Sequence, residues 1–255
     1  MILEMKNHKL FYGFFTVCIG FVFMMAGFAV SANAPPVIIL DPGHGGEDGG
    51  AVGITGTLEK DLNLDVAKKM ADHFSSAGYQ VVMTRSEDCD TDGRDGFFKR
   101  KDILGRFSFT ETHRNSIFIS IHMNSSTSSK DKGFQVFFGQ KNEKSRLLAE
   151  NIYASVFKNA EVTRLREVKK APDTVYLMKN LTVPAVLVEC GFISNQSDET
   201  LLNDPAYREN LAFVLYSGIV DYIEKKTLAV PENQESENQN IFATSFNQAS
   251  QDLVH

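Results

Sequence analysis

Four residues in this 255-residue chain have the types and placement for hydrolytic chemistry: His44, Glu59, His122 and Glu189. Two imidazoles and one carboxylate suit Zn2+ in a catalytic site, where three protein ligands leave one tetrahedral position free. A bound metal of that kind lowers the pKa of water to about 7. A second carboxylate, held off the metal, then takes a proton from water and delivers it to a departing amine. Glu189 follows the apolar run Ala185 to Val188, where partial desolvation would raise its pKa and make it a better base. The spacings of 15, 63 and 67 residues form no short pattern, so a set of ordinary structural histidines stays open on spacing alone.

The elements needed to bring these residues together are legible. Val37 to Leu40 is a short β-branched run that ends at Asp41-Pro42-Gly43, just before His44. Ile117 to Ile121 is a strand running into His122, and Ala185 to Val188 is one running into Glu189. Tyr79 to Thr84 and Phe134 to Phe138 are two further strands. Leu58, Leu62, Val66, Met70 and Phe74 recur every four residues and mark a helix, with Glu59 at its start and Ala77-Gly78 at its end. Phe98 to His113 is a second helix, carrying Arg100, Asp102 and Arg106. Glu143 to Phe157 is a third, with Leu147, Ile152 and Val156 among its inner positions. Pro205 opens a last helix, with Leu211, Leu215, Ile219 and Tyr222 inward. Strands alternating with helices of this length predict a single α/β domain with a mostly parallel central sheet flanked by helices. Active groups in such sheets gather at the carboxyl ends of the strands.

The glycine-rich stretch GGEDGGAVGITGT, between His44 and Glu59, could instead be a phosphate cradle. It lacks the GxGxxG and Gly-Lys-Ser/Thr patterns, and Glu47 and Asp48 would repel a phosphate.

The ends differ from the middle. Leu10 to Val30 is a 21-residue run without a charge, preceded by Lys6, His8 and Lys9. As a helix it would cross about 30 Å of hydrocarbon. The flanking charge places the N-terminus in the cytoplasm and the remainder outside. Ala32-Asn33-Ala34 has the form of a cleavage site, so residues 1–34 read as a signal peptide or a retained anchor, and either one exports the rest. Residues 227–255 read as a polar, disordered tail rich in Asn and Gln, and residues 35–226 as the catalytic domain. The net charge is -6, and four acidic residues of the tail (Glu232, Glu235, Glu237 and Asp252) supply most of it. Nothing here resembles the basic excess of a nucleic-acid binder. Only Cys89 and Cys190 lie beyond the apolar run; they are either a pair or two thiols, and Cys190 points away from Glu189 because neighbouring strand residues face opposite sides.

The ordered set VIILDPGHGGEDGGA, LEKDLNL, VVMTR, SIHMN and VPAVLVECGFISN resembles the zinc-dependent N-acetylmuramoyl-L-alanine amidases of the bacterial cell wall, the amidase-3 family. The match runs in order from about Val37 to Glu224. The segments KRKDILGR, YLMKN and FISNQSDETLL look most like the germination-specific branch of that family, found in spore formers. The resemblance implies one Zn2+ held by His44, Glu59 and His122, with Glu189 as the catalytic carboxylate. It implies hydrolysis of the amide between N-acetylmuramic acid and L-alanine of the stem peptide. In the germination-specific branch, that step prepares cortex peptidoglycan for muramic-δ-lactam formation.

Two further residues are substrate-binding candidates. Asn124 could hold His122 or substrate, or simply end a strand, and Arg85 could meet a peptide carboxylate or pair with Glu87 or Asp88. The short polar loop Ser125 to Gly133 leaves no room for the inhibitory helix of some relatives, so control is expected from expression, localisation or an accessory activator protein. The expected partners are peptidoglycan strands with stem peptides, and the membrane if residues 10–30 are retained. Two other functions compete: a zinc peptidase acting on wall peptides, and a silent wall-binding protein that keeps the fold. The absence of HExxH and the presence of all four chemical residues weigh against them.

Overall fold

The structure, a computed structural model, describes residues 34–91 and 99–228. The apolar run Leu10 to Val30 and nearly all of the polar tail lie outside the described residues. Among the described residues, no helix is long and apolar enough to cross a membrane.

The elements follow in the order β1 (Val37–Pro42), α1 (Glu59–Ser76), β2 (Val81–Met83), α2 (Lys99–Glu111), β3 (Ser116–Asn124), β4 (Gln135–Phe138), α3 (Lys144–Asn159), β5 (Lys169–Lys170), α4 (Tyr176–Asn180), β6 (Ala185–Phe192), α5 (Gln196–Asn203) and α6 (Pro205–Leu228). One sheet has the strand order β2-β1-β3-β6-β4-β5. The pairs β1–β2, β1–β3 and β3–β6 are parallel, and β4 also pairs parallel with β5. Only the β4–β6 pairing is antiparallel among the described strands. The expected α/β class with a mostly parallel sheet is therefore what the chain forms.

Alternation along each strand divides the core into two layers. Ile38, Leu40, Ile117, Ile119, Ile121, Val186 and Val188 face α1, α3 and α6. Ile39, Phe118, Ala185 and Leu187 face α2 and α4, where Ile103, Phe107, Leu177 and Met178 cover them. Burial of this apolar area, at about 25 cal/mol per Å2, is the main force holding helices to sheet. The same alternation matters for function. Asp41 follows Ile39 by two, Ser120 and His122 follow Phe118, and Glu189 follows Leu187. All of these polar groups thus project from the α2/α4 face of the sheet, at the carboxyl ends of its strands.

Several details correct the sequence reading. β3 runs on to Asn124 and β6 to Phe192, so His122 and Glu189 lie within strands and not just past them. In α3, Leu147 is 48% exposed and Leu148 takes the inner position, packed among core residues. α4 and α5 are short helices that hydrophobic period does not announce; α5 is started by Asn195, whose side chain accepts from the backbone N–H groups of Ser197 and Asp198. α6 continues to Leu228, past the expected domain end at 226. Cys89 and Cys190 are both free, and Cys190 is buried on the face away from Glu189, so the pairing alternative is not realised.

Candidate metal centre

His44 occupies a left-handed backbone conformation, with φ 63, the one such non-glycine residue among those described. The β1 strand stops at Pro42, and the turn through His44 throws the imidazole back over the strand ends. Gly43 is needed here: a Cβ on it would lie 2.1 Å from the His122 ring. Gly50 is needed too, because a Cβ there would come within 2.7 Å of Glu59 Oε2 and 2.8 Å of His44 Cδ2. The glycine-rich stretch is therefore a close-packed wall around the ligands, not a phosphate cradle.

Three side-chain atoms converge in this space. His44 Nε2 is 3.2 Å from Glu59 Oε1, and His122 Nδ1 is 2.9 Å from the same oxygen. The rings of His44 and His122 stand edge to face, 5.0 Å apart. One ligand atom from each of the three residues lies within 4.8 Å of the others. Ligands bound to Zn2+ at 2.0–2.1 Å in a tetrahedron are about 3.3 Å apart, so a donor set of this spacing and chemistry fits the ion.

Two of the three ligand candidates are braced from outside the set. His44 Nδ1 lies 2.9 Å from Asp48 Oδ2, which leaves Nε2 to face the centre. Glu59 starts α1, and its Oε2 accepts from Ala51 N–H while Oε1 accepts from Met123 N–H. Burial opposes ionisation of Glu59, but hydrogen bonds and charge from His122 and His44 win and hold it well below the usual carboxylate range. Burial likewise opposes protonation of His44, yet Glu59 and Asp48 raise it above its ordinary value. Both directions have one cause, the negative charge of Glu59 and Asp48 beside the imidazoles, and that charge favours a cation here, a proton or a metal ion.

Glu189 lies on β6 at the position that pairs with His122 on β3. Its Oε2 is buried with no hydrogen-bond partner. Burial pushes its carboxyl up to about 7; His122 and His44 pull it down, and Glu59 pushes it up. A cleft of about 290 Å3 opens over these groups, with Leu187 beside Glu189 on the sheet and Val175, Tyr176, Leu177 and Met178 also lining it. A larger cavity of about 510 Å3 lies at the opposite ends of the strands, around Pro36, Ser116 and Pro184. It has no histidine and a single carboxylate, that of Glu111, so chemistry and not size locates the site.

The two substrate-binding candidates have other tasks. Arg85 is 3% exposed and donates to the carbonyls of Pro42, Gly43, Lys60 and Glu87, so it cannot meet a substrate carboxylate. Asp88 pairs with Lys60 instead. The Asn124 side chain accepts from Ser125 N–H, closing its own turn, and does not line the cleft. Sequence reading missed Asp48 as the brace of His44, although the two are four residues apart. It also missed Asp41 and Arg106, which pair at 2.6 Å beneath the site. Their signal was a charged residue at an inward strand position and another on the inner side of a helix.

Residues 38–221 match the family described as N-acetylmuramoyl-L-alanine amidase, Amidase_3. The chain belongs to this family. As a member it is an N-acetylmuramoyl-L-alanine amidase, a hydrolase of cell-wall peptidoglycan. The germination-specific N-acetylmuramoyl-L-alanine amidase of Bacillus subtilis is 40% identical over 194 residues, covering 74% of this chain and 81% of that protein. The amidase LytC of the same organism is 32% identical over 216 residues, covering 78% of this chain and 41% of LytC. Among solved structures, the CwlD amidase of Clostridioides difficile, in complex with the GerS lipoprotein, is 34% identical with a TM-score of 0.69. That alignment covers 74% of this chain and 98% of the CwlD chain.

Proposed function

We propose that this amidase is zinc-dependent, with His44, Glu59 and His122 holding one Zn2+ and Glu189 acting as the proton-transferring carboxylate. The observation that carries the reading is the convergence of those three ligand atoms beside the unpartnered Oε2 of Glu189. When bound, Zn2+ would polarise the amide carbonyl and lower the pKa of water. The chain does the rest. Asp48 leaves the His44 Nε2 lone pair facing the centre, and Glu59 stays ionised under its hydrogen bonds. Glu189, whose carboxyl burial pushes up to about 7, takes a proton from the attacking water and passes it to the leaving nitrogen. The C–N bond between the lactyl group of N-acetylmuramic acid and L-alanine breaks, a C–O bond forms, and the products are a lactyl carboxylate and a free L-alanine amine. Val175, Leu177 and Leu187 add apolar surface to a cleft that polar groups also line, a mix suited to orienting a substrate.

The likeness to the germination-specific amidase supports a role in spore cortex maturation, where stem-peptide removal precedes muramic-δ-lactam formation. Action outside the cytoplasmic membrane fits the cell-wall substrate and the reading of residues 1–34 as signal or anchor. By analogy with the CwlD–GerS complex, an accessory lipoprotein is a fitting partner.

The test is to incubate the full chain with zinc on glycan strands bearing stem peptides and weigh the products. Free stem peptides with an L-alanine N-terminus are expected. Shortened stems still attached to glycan would show a peptidase instead. His44→Ala is expected to lose zinc and activity together, and normal zinc content in that variant would remove His44 from the ligand set.

A further inference from the structure

His44 is held in an unfavourable backbone conformation, and two buried arginines reach the carbonyls around it. Three successive carbonyls, of Pro42, Gly43 and His44, accept from side chains here. Arg85 Nε donates to Pro42 O at 3.0 Å, and Arg85 Nη2 to Gly43 O at 3.0 Å. Arg106 Nη1 donates to Pro42 O at 2.9 Å, and Arg106 Nη2 to His44 O at 2.7 Å. Every carbonyl of the turn is thus taken by a guanidinium, and Pro42 by both.

We infer that Arg85 and Arg106 form a clasp that sets His44 for metal binding, which makes them positioning residues of the metal centre. The inference rests on the zinc reading above. Arg106 is aimed from behind: Asp41 Oδ1 accepts from Nη1 at 2.6 Å and Asp102 Oδ2 accepts from Nε at 2.9 Å. Asp41 is itself fixed by the hydroxyls of Thr84 and Ser120. Arg85 has a second reach. Its Nη2 also donates to Lys60 O at 2.9 Å. Gly43 precedes His44 and Lys60 follows Glu59, so one nitrogen ties the backbones that carry two ligands. A non-glycine left-handed residue persists only where its surroundings over-determine it, and the four guanidinium contacts to the turn, with Asn63 Nδ2 donating to Gly43 O at 3.1 Å, do so. A lysine could keep each charge but not the planar fork that answers several carbonyls at once.

The test compares Arg85→Lys and Arg106→Lys with the wild-type full chain. Arg208→Lys serves as a control, since Arg208 pairs with Asp65 and Leu202 O away from the cleft. Zinc affinity is measured by competition with a chelator, and folding by circular dichroism and urea midpoint. The clasp predicts a zinc Kd at least tenfold weaker in either lysine variant that folds, the range typical of residues that orient ligands. Arg208→Lys is expected to move the urea midpoint and leave the zinc Kd unchanged. A loss of less than tenfold in the folded lysine variants overturns the clasp. A wild-type chain that takes up no zinc overturns the metal reading and the clasp with it. Should Arg106→Lys fail to fold, Arg85→Lys decides, because Arg85 answers only carbonyls and its replacement leaves Asp41 paired.

Discussion

His122 and Glu189 are directly paired positions on the neighbouring parallel strands β3 and β6. Residues so paired stand side by side on one face of the sheet, so a ligand candidate and a free carboxylate share the floor of one cleft without sharing a bond. That relation separates two roles for acidic groups: Glu59 is gripped by two imidazoles, and Glu189 has an oxygen with no partner. Glu189→Gln keeps the shape and removes the carboxylate proposed as the base. Zinc content is expected to match wild type, while kcat on stem-peptide-bearing glycan falls by roughly 10^2 to 10^4, the usual contribution of a positioned general base. Retained turnover would remove Glu189 from the proton path.

The same carboxyl makes a prediction about stability. In the metal-free protein Glu189 is raised from an ordinary 4.5 to about 7. Below pH 4.5 the folded and unfolded forms both carry its proton, and it costs nothing. Between pH 4.5 and 7 the folded form holds more protons, so stability falls as pH rises and the loss is complete above 7. At about 1.4 kcal/mol per unit, the cost at pH 8 is on the order of 3–4 kcal/mol. Glu189→Gln is expected to unfold at higher urea than wild type at pH 8, in chelator, with the gap nearly closed at pH 5. Equal gaps at both pH values would contradict the burial assigned to this group.

Asp41 behaves in the opposite sense. Burial would raise its pKa, but Arg106, Thr84 and Ser120 hold it below its ordinary value. A depressed carboxylate gives its full stabilisation above its unfolded pKa of about 4 and loses it as pH falls further. Asp41→Asn leaves the buried Arg106 charge without one of its carboxylates, a type of change that costs about 3–5 kcal/mol. Urea unfolding at pH 7 should show that loss, and the steep acid limb of wild-type stability below pH 4 should become shallower in the variant.

These groups also mark how far the sequence could be read. His44, Glu59, His122 and Glu189 were legible because each stands beside a strand or helix boundary, and boundaries follow from hydrophobic period and turn residues. The direction of β4 was not, since an antiparallel strand and a parallel one carry the same alternation. Leu147 and Leu148 show the limit in a helix. Both fit an apolar stripe, and only the docking of α6 and the sheet against α3 selects Leu148. Arg85 was misassigned for a related reason: a cation at a strand end reads as a ligand for anions, while its four carbonyl partners come from three separate stretches of chain.

Two glycines separate close packing from backbone freedom. Gly43 lies outside the left-handed region, but a Cβ on it would overlap the His122 ring, with three ring atoms between 2.1 and 2.6 Å. Gly56 has the opposite character, with φ 87 and nothing within 4 Å of its would-be Cβ. Gly43→Ala must therefore push the imidazole or the His44 turn aside and spoil the ligand set. Gly56→Ala meets only backbone strain, about 1 kcal/mol, in a loop away from the ligands. Zinc affinity is expected to fall by more than tenfold in Gly43→Ala and to hold in Gly56→Ala, although both lower the urea midpoint. If Gly43→Ala bound zinc as tightly as wild type, the close approach of the His44 turn to His122 would not be a condition for the metal centre.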